Sequence, residues 1–142
     1  MYLSENSIMK NTSVLFTILL SFAFANSFAQ KPKLTLGDLP ITTGTDGKAV
    51  PFYTTSDRII KAGKLVVNTP NLEVVSYTFS IMAGDGMRGP IVVKGAELTD
   101  KIIGWIKETK GPGVKVFFDD IKVKEADGLV RPVAPMTFKY DQ

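Results

Sequence analysis

Two adjacent carboxylates, Asp119 and Asp120, interrupt the stretch VKVFFDDIKVKEADG (Val114 to Gly128), whose other residues are mostly those of a β-strand. Paired carboxylates can work as general acid and base or can ligate a metal. Few other residues of this chain could take either role. The sequence contains no histidine and no cysteine. This removes the commonest general base, imidazole and thiolate metal ligands, thiol nucleophiles and Ser-His-Asp triads. No GxSxG or Walker pattern occurs, and GDGMRG at 84–89, which has the GxGxxG spacing, lacks the strand-to-helix setting of a nucleotide loop. Asp85 lacks the alternating carboxylates of a calcium loop. A small enzyme would therefore have to rely on carboxylates such as Glu97, Asp119 and Asp120 alone.

The order of apolar residues around the pair points to geometry instead. Val114, Val116 and Phe118 fall on even positions, whereas Ile121 and Val123 fall on odd ones. Side chains of a strand alternate between faces, so a change of parity between Phe118 and Ile121 predicts a β-bulge there. In a regular strand the two carboxylates would also point to opposite faces and could not serve one substrate. We assign no catalytic, cofactor-binding or metal-ligating residue, and no cofactor.

Short segments rich in Val, Ile, Thr, Phe and Tyr, separated by turn sequences such as GTDGK, KAGK, NTPN, KGPG and EADG, must carry these residues. This is the rhythm of a mainly β domain, read here as antiparallel and β-sandwich-like with one short packed α-helix. The clearest strand is VVSYTFSI, with Val75, Tyr77, Phe79 and Ile81 on one face and Ser76, Thr78 and Ser80 on the other. The helix is predicted in LTDKIIGWIKETKGPG. There Leu98, Ile102, Trp105 and Ile106 form one stripe, Thr99 suits the N-cap, and Gly111-Pro112 ends it.

Ahead of the domain, the apolar run VLFTILLSFAFA (Val14 to Ala25) is followed by Ser27-Phe28-Ala29. The run is shorter than the ~20 residues of a membrane span, and small residues stand where a signal peptidase reads. Residues 1–29 are thus expected to be a signal peptide, with Met1 or Met9 as the start, and residues 30–142 to be one exported, periplasmic domain with an extracellular location also open. Loss of Lys10 and Glu5 leaves the net charge at +3. The charges are mixed, and aromatics are not interleaved with basic residues, which argues against nucleic-acid binding.

From Asn71 to Tyr140, through NLEVVSYTFSI, Leu98-Thr99, Gly113 to Lys124 and Asp127 to Phe138, the chain resembles the C-terminal periplasmic domain of the GldM/PorM family of gliding-motility and type IX secretion proteins. The resemblance extends back to about Thr35. It implies a β-rich domain that contacts periplasmic ring proteins of the secretion system. The family's transmembrane helix, helical domain and two further sandwich domains have no counterpart in this sequence, so the force-transmitting role is not carried over. The expected function is a non-enzymatic protein-interaction module. Its partner-binding residues are expected in the Gly-rich stretch Ala83 to Pro90, at Asp85, Met87 and Arg88, because Met and Arg are enriched in interfaces. The alternative is a carbohydrate-binding or hydrolase accessory module that stacks sugars on Tyr53, Tyr77 or Trp105.

Overall fold

The computed structural model describes residues 33–39, 42–43, 49–50, 52–84 and 86–140. The expected signal peptide, its cleavage tripeptide and Asp85 lie outside the described residues. In chain order the elements are β1 (Leu34–Leu36), β2 (Thr42–Thr43), β3 (Ala49–Val50), β4 (Phe52–Thr54), α1 (Ser56–Ala62), β5 (Leu65–Val67), β6 (Glu73–Ala83), β7 (Gly86–Lys94), α2 (Asp100–Glu108), β8 (Lys115–Lys124), β9 (Val130–Pro132) and β10 (Met136–Tyr140).

The mainly β fold read from the sequence is the one observed. A six-stranded sheet has the order β4-β10-β8-β6-β7, with β9 alongside the far end of β8. All its pairings are antiparallel except that of β10 with β4, which is parallel. One face of this sheet packs into a single core with the antiparallel pair β1-β5 and the two helices. Phe118, on the central strand β8, is the hub of that face. Its ring centroid lies 5.6 Å from Tyr77, 5.4 Å from Phe79 and 5.9 Å from Phe138. Such pairs contribute about 0.5–1.5 kcal/mol each beyond their buried area.

Helix α2 is the expected one. The Thr99 hydroxyl accepts from the Ile102 amide at 3.4 Å, and Ile102 and Ile106 are fully buried. Trp105 is half-buried, with its ring 6.5 Å from Phe79 and the Lys101 ammonium 5.2 Å from its centroid. It serves as a core side chain. Helix α1 is additional to the single helix expected. Thr55 caps its start by accepting from the Arg58 amide, and Gly63 closes its end at φ 73°. Only Ile59 is buried on it. Ile60 and Ala62 pack only partly against the core, and one buried residue in seven leaves no periodicity to read.

The parity change in β8 proves to be part of a larger feature. Val74 pairs with Val123 and Ser76 with Lys122, so β6 carries one extra residue, Val75. Thr78 then pairs with Asp119, so between Lys122 and Asp119 the strand β8 carries one extra residue in turn. The two insertions cancel. Asp120 sits in the bulge at φ 46°, a left-handed conformation that Asp tolerates better than most residues. On the other side of β8, Lys122 pairs with Pro132 and Phe118 with Met136, and the Val133 amide donates to the Ile121 carbonyl at 2.9 Å. Val133 and Met136 both face the core, with Ala134 and Pro135 exposed between them. Three neighbouring strands thus switch their buried parity at one level: at Val75, at Asp119-Asp120 and at Ala134-Pro135. These switches lie on one line across the sheet, and bulges of this kind bend the strands that carry them. On β6 this corrects the expected face. Val74 takes the buried position, Val75 is half-buried, and Ser80 is buried rather than exposed.

Strand β7 has its own bulge, between Phe79 and Ile81 of its partner, filled by Gly89-Pro90. Gly89 has φ 103°, and a Cβ there would lie 2.8 Å from the Phe79 carbonyl oxygen, so only glycine fits.

Candidate protein-interaction site

The expected long loop from Ala83 to Pro90 is in fact the end of a hairpin. Strand β6 runs to Ala83 and β7 begins at Gly86, with Ala83 and Gly86 in register. Met87 and Arg88 are therefore successive strand residues and project to opposite faces. Arg88 pairs with the core-facing Ile81 and extends to the C-terminal end of α2, where its guanidinium donates to the Glu108 carboxylate at 2.6 Å. Both partners are largely exposed, so this pair contributes at most about 1 kcal/mol. The two side chains flank a cleft of about 250 Å³ that also involves Thr109 and Lys110. Met87, in register with Met82, stands on the opposite face of the sheet. The Met-Arg pair does not form one contact surface, while Asp85 lies outside the described residues.

The other sequence candidates separate in the same way. Tyr77 is fully buried and its hydroxyl donates to the Glu97 carbonyl at 2.6 Å, which excludes it as a sugar platform. Trp105 lies against the core. Tyr53 remains accessible at 55% exposure, with the Lys139 ammonium 5.4 Å from its ring centroid. Asp119 is half-buried, and burial, reinforced by the neighbouring Asp120 charge, raises its pKa above the usual value of 3.8. Asp120 is exposed at the bulge. Among the described residues, no group of three carboxylates is placed to hold a metal ion.

What the strand order does bring together is a row that crosses five strands on the face away from the helices. Tyr53 of β4 is in register with Lys139 of β10, Lys139 with Lys115 of β8, Lys115 with Met82 of β6, and Met82 with Met87 of β7. Its two ends, Tyr53 and Met87, are more than half exposed, and Val92 nearby on β7 is 77% exposed. Sequence reasoning found Met87 and Tyr53 singly. The row was out of reach because it depends on β10 lying between β4 and β8, which no local pattern encodes. No helix among the described residues is long and apolar enough to cross a membrane. No family model matches this chain, and no curated protein matches it.

Proposed function

We propose that this chain is a non-enzymatic periplasmic protein-interaction module, similar in role to the C-terminal domain of GldM/PorM proteins and serving gliding motility or type IX secretion. The observation that carries the reading is the row from Tyr53 to Met87, exposed at its two ends and half-buried between them. Large apolar side chains at its ends and flexible Met and Lys side chains between them suit contact with a protein surface. Asp120 has a structural reason to be where it is, its left-handed φ in the bulge, which supports the non-enzymatic reading. The expected signal peptide at residues 1–29 supports the location, and the likeness from Asn71 to Tyr140 supports the partner class.

The test is made in cells. A photo-crosslinking residue is placed at Met87 or Lys139, and periplasmic fractions are analysed by intact mass and by identification of the crosslinked protein. The expected result is a chain cut after Ala29 and crosslinked to a secretion-ring protein. An uncleaved chain in the inner membrane would defeat the localisation. Binding on a glycan array, abolished by Tyr53→Ala and accompanied by no protein crosslink, would replace this reading with the carbohydrate-binding one.

A further inference from the structure

We infer that the row Tyr53, Lys139, Lys115, Met82 and Met87 binds an acidic protein segment, its carboxylates held by the two lysines and its apolar side chains by the residues at the ends. This rests on the interaction-module reading and adds the chemistry of the partner. Five strands spaced ~4.8 Å apart place Tyr53 and Met87 about 19 Å from each other, the reach of about six extended residues.

The charges in the row favour an anionic occupant. Lys115 and Lys139 are directly opposite on adjacent strands, a like-charge arrangement that repels and that a bound carboxylate would relieve. Among the described residues, neither ammonium has a carboxylate within ion-pair distance. The same face adds Lys94 and Lys122, in register on either side of Ser76, against the carboxylates of Glu73 and Asp119. Lysines so outnumber acids there that the face presents a positive field, which steers an acidic partner inward. The apolar ends distinguish a polypeptide from a simple polyanion. Tyr53 and Met87 are 55% and 56% exposed, and a partner with only charges would leave them in water.

The test uses the purified chain and a fluorescent random copolymer of glutamate and tyrosine, with polyglutamate and phosphatidylglycerol vesicles as comparison probes. We expect the copolymer to bind more tightly than polyglutamate, with Tyr53→Ser plus Met87→Ser erasing the difference. Lys115→Glu plus Lys139→Glu should weaken copolymer binding at least tenfold. The charge-matched reversal on the helices, Lys61→Glu plus Lys107→Glu, should leave it within twofold. Circular dichroism melts confirm folding, and Lys→Gln at 115 and 139 replaces the reversal if that variant does not fold. Equal losses in both reversals, or tighter binding to the vesicles than to the copolymer, would overturn the inference. Crosslinks retained in cells with no row-dependent copolymer binding overturn this inference alone. Row-dependent binding without any periplasmic crosslink overturns the module reading alone.

Discussion

Two buried tyrosines make opposite use of the same hydroxyl. Tyr77 has a partner in the Glu97 carbonyl, whereas the Tyr140 hydroxyl is buried with no hydrogen-bond partner among the described protein groups. Tyr77→Phe should therefore cost about 1 kcal/mol, while Tyr140→Phe should be neutral or stabilising, as read in denaturant melts. Both phenols are held protonated by burial, Tyr140 with its pKa pushed up to about 12 from 10.0. The folded domain thus keeps protons that the unfolded chain gives up, so this stability is intact below pH 10 and is lost as pH rises through 12. Tyr140→Phe should flatten the alkaline slope, and an unchanged slope would remove Tyr140 as its source. The Asp pair behaves differently. Because the Asp119 pKa is raised, folding disfavours its charge, and the domain loses stability as pH rises through 3.8 and above. Asp119→Asn should reduce that loss. At Asp120 the left-handed φ sets the order of stability: Gly at least equal to Asp, and Val lower by about 1–2 kcal/mol. Equilibrium melts of the two Asp120 variants at neutral pH give that order.

At the scale of the element, the line of bulges across β6, β8 and the β9-β10 segment predicts strong coupling between distant positions. Deleting Asp120 alone leaves β8 one residue short against both neighbours, so Val74 and Val123 no longer face the core together. Each displaced side chain loses about 1.5–3 kcal/mol of burial. Deleting Val75 as well restores the register of β6 with β8, and deleting Ala134 restores that of the third strand, with every buried residue on its original side. Urea titrations should therefore show the triple deletion to be more stable than the single one, and additive losses would refute the linked bulges. Much of this was legible in the sequence. The slip from Phe118 to Ile121 announced the bulge because β8 keeps clean alternation on both sides of it. On β6 the run Val74-Val75 offers two equivalent apolar residues, so the parity change there was hidden, and Pro135 reads as a loop. Helix α1 escaped notice for want of an apolar stripe. Met87 and Arg88 looked like a joint site because glycines at 84, 86 and 89 imitate a loop, whereas the pairing of Ala83 with Gly86 makes the segment a strand.

For the molecule as a whole, the strand order leaves β7 at one side of the large sheet, and among the described residues no further strand pairs with it. An unpaired side of a sheet can template another chain, a hazard for any protein at high concentration. The bulge at Gly89-Pro90 limits it. Proline has no N–H to donate, and the bulge divides β7 into the short lengths Gly86–Arg88 and Ile91–Lys94. A visiting strand finds too few consecutive backbone partners to hold on to. Replacing Pro90 with Thr restores a donor, and light scattering of concentrated samples should show that variant aggregating faster than the parent at equal melting temperature. Gly89 and Pro90 then act as a barrier to fibre growth: a pair of residues that contributes little to the core of one molecule governs how many molecules can share a solution.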